Sequence, residues 1–514
     1  MASPAVAEQW REVELVFTAD SEPANPYTEV EFHVEFAGPQ GARIVRPGFW
    51  DGGKTYRVRF ASPTAAGQWR WRSQATPPDA GLHGQQGTIT AAPYAGEDAL
   101  VKHGLLRMSP GARTVIHADG TPFLMVADTP WALPWRATVA DARVYAQNRQ
   151  ARGFNTALLM SLQPDRGEIG PNERGTVQGF AVAFEDLKEG RINRINIPYF
   201  QYFDQLRDLL LAHGIVPVYQ PVFHGYGWKG NNVLGQKMSP TEYARYCRYL
   251  VARYGAKPAM WLVGADSTGR NPGVQEGGEA IEQWDAYRQP TGLHYSPKAS
   301  NDAFQDAPWL DFQWCQTGHG GRHRTDRVQA MYTNLPVKAV ANGEPTYEGM
   351  KQPEQAAGWW QGHSAWLQYT AGGTMGVVYG AGGLWQWKIT PDETAWPEWA
   401  NSQVSWREAL ELEGAQYVGH FGRILQGLDV TDIPTRPDLA DGKLCLAKPG
   451  KLYIVYLPEP GDVTLFQLKP GMNFRWYDPK TGGQLSAGTV TDPSVPFQAA
   501  KYPAVLIVAE AKAN

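Results

Sequence analysis

The sequence predicts a (β/α)8 barrel set between two β-sandwiches. Three observations carry that reading. Period-two alternation fills the first hundred residues, apolar strands then alternate with amphipathic helices over some three hundred, and short alternating strands return at the end. The boundaries this implies are 1–100, 101–423 and 424–514, and 514 residues exceed what one ordinary core organises.

From Val13 to about Tyr94, "VELVF", "EVEFHVEF", "YRVRF" and "WRWRS" are separated by turn-forming glycine, proline and asparagine. This is the pattern of an antiparallel sandwich. It holds no cluster of acids or histidines, so an accessory role is expected.

Eight strands are expected next: Pro122–Asp128, Asn155–Ser161, Ile215–Pro221, Ala259–Asp266, Leu293–Pro297, Asp311–Gln316, Val337–Glu344 and Met375–Gly380. Helical segments such as "TVADARVYAQNRQARG" and "YFQYFDQLRDLLLAHG" lie between them, each closing on a glycine suited to end a helix. After Ile424, "KLCLAK", "LYIVYLP", "VTLFQL", "NFRWYDP" and "AVLIVAE" predict the second sandwich.

Composition bounds the function. A net charge of -4 gives no reason to expect nucleic acid or an anionic membrane as partner. The three cysteines are far apart, and neither CxxC nor HExxH occurs, so no metal or other cofactor is expected. No apolar run reaches bilayer length. Ala5-Val6-Ala7 fits the A-x-A pattern that precedes a signal-peptidase cut, which points to export to the periplasm or outside. The 20 tryptophans and 23 tyrosines are abundant, and their flat apolar faces suit stacking on sugar rings as well as core packing.

Barrel enzymes present working side chains at the C-terminal ends of their strands. The expected ends carry Asp128, Thr129 and Trp131; then Gln163 with Asp165 and Arg166; then His224, Tyr226 and Trp228. Asp266 closes the fourth strand, Gln316 and His319 follow the sixth, and Glu344 closes the seventh, with Tyr347 and Glu348 beyond it. Tyr379, Trp385 and Trp387 follow the eighth. Two or three acids among neutral hydrogen-bonding groups and aromatics suit a polyhydroxylated neutral ligand. Glycosidic cleavage uses two carboxyl groups, one to protonate the departing oxygen and one to attack the anomeric carbon or activate water. Asp266 and Glu344 are therefore expected as acid/base and nucleophile, with the other named residues binding substrate. Each has a plainer reading: Asp266 as a helix cap, Asp128 as a turn former, and Glu348 as rival to Glu344.

"PFLMVADTPW", "RGFNTALLM", "MWLVGAD", "DFQWCQTGH", "NGEPTYEG" and "VVYGAGGLWQW" resemble, in order, the apiosidase-like catalytic domain of glycoside hydrolase family 140. The resemblance implies a barrel that releases apiose from plant pectin, with Asp266 and Glu344 on its catalytic positions. Ala127 and Ala265 stand where that family has glycine, which loosens the transfer of sugar specificity. The outer regions resemble its companions, a β-sandwich of unknown function and a module of the collagen-binding type. The expectation is a retaining, exo-acting glycosidase. The alternatives are a carbohydrate-binding protein, or a lyase or transglycosylase on the same barrel.

Overall fold

The computed structural model describes residues 5–164, 182–225, 233–350, 356–392 and 402–511. The N-terminal region contains a five-stranded and a three-stranded sheet. Alternation in Glu31–Ala37 turns Phe32, Val34 and Phe36 inward, and Thr55–Ala61 turns in Tyr56, Val58 and Phe60. The two sets share one apolar cluster, with the Phe36 and Phe60 rings stacked 4.2 Å apart. One strand departs from the antiparallel expectation: Ala5–Glu8 pairs in parallel with Ile89–Ala92. The A-x-A tripeptide read as a cleavage signal thus lies in the sheet, and Ala7 is fully buried. Small residues that suit a protease cleft also suit a crowded strand.

The middle region is an eight-stranded parallel sheet that nearly closes on itself. In chain order its strands are Met125–Asp128, Thr156–Met160, Val216–Gln220, Met260–Ser267, Thr291–Tyr295, Phe312–Gln316, Ala339–Glu344 and Gly376–Val378. Neighbours in sequence are neighbours in space, and the first strand pairs with the eighth. The Met375 amide donates to the Val340 carbonyl at 3.2 Å across the remaining seam. The strands are almost wholly buried, as expected where helices cover the outside and side chains fill the inside.

The segment Pro122–Asp128 divides. Pro122–Phe123 joins a three-stranded sheet with Val115–His117 and Leu106–Met108, and only Met125–Asp128 enters the barrel. Between them the Asn155 side chain takes over the backbone, accepting from the Val126 amide and donating to the Leu124 carbonyl, each at 2.8 Å. Helix Val139–Arg152 starts where Thr138 accepts from the Asp141 amide and ends at Gly153 in the left-handed conformation.

The C-terminal region is, among the described residues, a single five-stranded antiparallel sheet rather than the expected sandwich. Three of its strands, Leu444–Lys448, Leu452–Leu457 and Ala504–Ala509, are buried on both faces for a different reason. Leu446, Ile454, Tyr456, Val505 and Ile507 join the barrel's core, while Cys445, Tyr453, Val455, Leu506 and Val508 form a separate cluster. The barrel itself serves as the opposing layer, a role the alternation alone does not distinguish from that of a second sheet.

A charged seam joins the N-terminal sheets to the barrel's helices. Arg59 and Arg253 both reach Asp204, at 2.7 and 2.9 Å, Arg253 also reaches Asp51 at 2.9 Å, and Arg207 faces Glu12 at 3.6 Å. No described helix is long and apolar enough to cross a membrane.

Candidate active site

The fourth strand reaches Asp266 through two register shifts against the fifth. Asp266 itself adopts a φ of 49°, in the left-handed region that costs a non-glycine residue about 1–2 kcal/mol. Its amide thereby points at His294, donating to Nδ1 at 3.2 Å. Its carboxyl lies against Gly225, where an added Cβ would stand 2.0 Å from Oδ2. It caps no helix: the next one, Val274–Trp284, starts after Gly273.

The seventh strand ends in Gly343-Glu344, and the buried Glu344 carboxylate faces two imidazoles. His319 Nε2 is 2.9 Å from Oε1, and His294 Nε2 is 3.6 Å from Oε2. The tautomers follow from the other nitrogens. The Tyr347 amide donates to His319 Nδ1 at 3.3 Å, and the Asp266 amide occupies Nδ1 of His294. Both rings are therefore assigned Nε2–H, aimed at the carboxylate. Burial lowers the His294 pKa to about 4 against the opposing charge of Glu344, so this ring is neutral near pH 7.

Glu348, four residues on, does different work. It accepts from the Tyr379 hydroxyl at 2.7 Å and from the Gly358 and Gly414 amides at 2.6 and 2.9 Å. Its carboxylate ties the loop after the seventh strand to the N-terminal ends of helices Trp359–Thr370 and Gly414–Leu425. Burial raises its pKa against those hydrogen bonds.

Around Glu344 the aromatic groups pack closely. Trp131 donates its indole N–H to the Tyr347 hydroxyl at 2.8 Å and lies 5.9 Å from the His294 ring. Tyr347 sits 4.7 Å from His319 and passes so near Gly380 that a Cβ there would meet it at 2.1 Å. Gln316 pairs with Glu344 across a register shift, its Oε1 buried with no hydrogen-bond donor among the described residues.

The remaining expected contacts fall into two groups. Thr129 is buried at the mouth, with Oγ1 2.9 Å from where a Cβ on Gly380 would stand. His224, beyond the end of the third strand, is buried, its amide tied to the Ala265 carbonyl at 3.1 Å, and burial lowers its pKa to about 4. Trp385 is buried 6.5 Å from Tyr347. Others are committed to the fold. Asp128 is ion-paired with Arg149 at 2.6 Å, both side chains fully buried, and also accepts from the Thr129 amide. Gln163 accepts from the Ala183 amide at 3.0 Å, Tyr379 serves Glu348, and Trp387 stacks on Trp406 at 4.7 Å. Tyr226, together with Asp165, Arg166 and Trp228, lies outside the described residues.

Sequence reasoning missed His294. Its only signal is a single basic side chain inside the apolar run "TGLHY", in a strand whose inward and outward faces are equally buried.

A parallel barrel whose open end gathers carboxylates, imidazoles and aromatic rings is the architecture of a glycosidase, and the chain is one. Residues 109–432 match the apiosidase-like catalytic domain, and the chain belongs to that family. Residues 6–76 match a domain of unknown function, DUF5060. None of the curated proteins compared matches. Among solved structures, a candidate glycoside hydrolase from Bacteroides vulgatus superposes with a TM-score of 0.72 at 19% identity, covering 99% of this chain and 100% of its own. A glycoside hydrolase family 5 protein from the same organism gives 0.63 at 21% identity, covering 80% and 94%. At such identities the likeness is one of fold.

Proposed function

We propose that the chain is a retaining, exo-acting glycoside hydrolase in which Asp266 is the acid/base and Glu344 the nucleophile. One observation carries this reading: at the open end of the barrel the His294 ring accepts from the Asp266 backbone amide at 3.2 Å and stands 3.6 Å from the Glu344 carboxylate, so the strand-four and strand-seven acids flank one imidazole. Glu344 is met by imidazole N–H groups and no guanidinium among the described residues, which orients its oxygens toward the place an anomeric carbon would take. Asp266 is the more exposed of the two and stands where a leaving-group oxygen could reach it. Thr129, Trp131, His224, Gln316, His319, Tyr347 and Trp385 supply the hydroxyl-binding and ring-stacking wall.

Membership of the apiosidase-like family supports a terminal apiose-like furanoside or other pentose as the released sugar, with pectic polysaccharide as the donor. Ala127 and Ala265, where glycoside hydrolase family 140 resemblance calls for glycine, leave room for a related furanoside. The flanking sheet regions serve as accessory modules, the last of the collagen-binding type in resemblance, and the protein works outside the cytoplasm.

Incubation with 4-nitrophenyl glycosides and pectic oligosaccharides, followed by time-resolved proton NMR of the products, tests the proposal. It predicts one released pentose whose first-formed anomer matches the substrate. An inverted first anomer removes the retaining step. An unsaturated product identifies a lyase, and unaltered substrate that nevertheless binds identifies a carbohydrate-binding protein.

A further inference from the structure

We propose that His294 is a positioning residue that holds the two acids in one frame, gripping the Asp266 backbone through Nδ1 and aiming Nε2–H at Glu344. The proposal rests on the reading of Asp266 and Glu344 as the catalytic pair.

The fifth strand brings His294 into the barrel fully buried, a place where an imidazole is costly unless both nitrogens are used. Its first use is unusual. Asp266 takes a left-handed φ within the irregular last residues of the strand, and its amide bonds to the His294 side chain instead of a backbone carbonyl. Backbone strain persists only where the surroundings over-determine it. The ring is one such determinant, so the position of the Asp266 side chain depends on His294.

The second use follows from the first. With Nδ1 accepting, the proton must sit on Nε2, which faces Glu344 Oε2 at 3.6 Å. That gap exceeds an ordinary hydrogen bond, and catalytic contacts of this kind close when substrate fills the site. His319 already holds the other oxygen at 2.9 Å. The charged and titratable groups around the ring are Asp266, Glu344, His319 and Arg327, whose guanidinium is held by the Ser296, Pro297 and Ala299 carbonyls below the strand's end. Burial outweighs the pull of Glu344, keeping the ring a neutral donor that orients the carboxylate without neutralising it.

Two substitutions separate the two grips. His294→Asn keeps an acceptor near the Nδ1 position and loses the reach to Glu344. His294→Gln places an amide near the Nε2 position. On the 4-nitrophenyl pentofuranoside that the wild type cleaves fastest, His294→Asn should lower kcat about 100-fold with KM within about twofold, and His294→Gln should recover about tenfold of that loss. In the full chain labelled with 15N-histidine, the His294 signals should show a neutral ring with its proton on Nε2 at pH 6. Turnover within about threefold of wild type in both variants, or a proton on Nδ1, would overturn the proposal. If both variants unfold, the nitrogen signature of the wild-type ring decides alone. Wild-type turnover in Glu344→Gln removes the catalytic pair itself, a failure distinct from an incorrect tautomer.

Discussion

Asp204 in the seam and Glu344 at the barrel mouth are both largely buried carboxylates that face two basic side chains, yet their surroundings differ in kind. Asp204 meets the guanidinium groups of Arg59 and Arg253, with Arg207 close by. Burial alone would raise its pKa, and the three arginines instead hold it well below the ordinary carboxylate range. Its charge is spent on neutralising theirs. Glu344 meets two imidazoles, at 2.9 and 3.6 Å, one of them neutral by burial, and no guanidinium among the described residues. The chemistry of the donors, more than the depth of burial, separates the carboxylate that welds two regions from the one proposed to react. Asp128 falls on the structural side of the same division, because Arg149 takes it, although it ends a barrel strand.

The comparison is broken most forcefully at the seam. Asp204→Asn leaves three arginines facing one fewer charge and should cost about 3–5 kcal/mol of folding stability, read by denaturant unfolding. The surviving folded enzyme should turn over at the wild-type rate. A loss of turnover without a loss of stability would place the seam in the catalytic machinery.

Gly225→Ala sharpens the mouth. The new methyl would stand 2.0 Å from Asp266 Oδ2 and 2.6 Å from the Phe223 ring, so both side chains must shift. Turnover should fall about 10–100-fold, as expected for an acid displaced by a fraction of an ångström to one ångström. Unchanged kcat/KM would show that the Asp266 carboxyl works from another position.

The smallest effect concerns Asp311, a carboxylate with no arginine bound to it among the described residues. Burial raises its pKa to about 6, opposed by the Thr291 amide at 3.0 Å and by Lys338. Its folded pKa lies above the unfolded value of 3.8. The folded state therefore holds a proton that the unfolded chain releases, and stability from this group is lost as pH rises between those values. Asp311→Asn should melt higher than wild type at pH 7 and lose that advantage near pH 4. An advantage that does not vary with pH would rule out the buried charge as its cause.

Much of this architecture was legible. Parallel strands covered on both sides leave apolar runs, and all eight emerged within a few residues of their observed limits. Gly153 marked the end of one helix by capping chemistry that acts locally. The strand-end rule pointed to Asp266 and Glu344 for the same local reason. What stayed hidden depends on partners distant in sequence. Nothing around Asp128 announces Arg149, which lies in the last turn of helix Val139–Arg152, 21 residues on, and is fully buried against it. Nothing within "NGEPTYEG" says that Glu348 will meet Gly358 and Gly414 while Glu344 meets histidines from the fifth and sixth strand ends. The C-terminal strands alternate as a sandwich would, and only the fold reveals that the barrel supplies the second layer.

Turnover of Glu344→Gln beside Glu348→Gln, each with its melting temperature, tests the catalytic assignment most directly. Glu344→Gln should lose at least about a thousandfold in kcat/KM while melting within a few degrees of wild type. Glu348→Gln should melt lower, with its folded fraction retaining most of the activity. Wild-type-like turnover in Glu344→Gln, or collapse of turnover in a fully stable Glu348→Gln, would contradict the assignment.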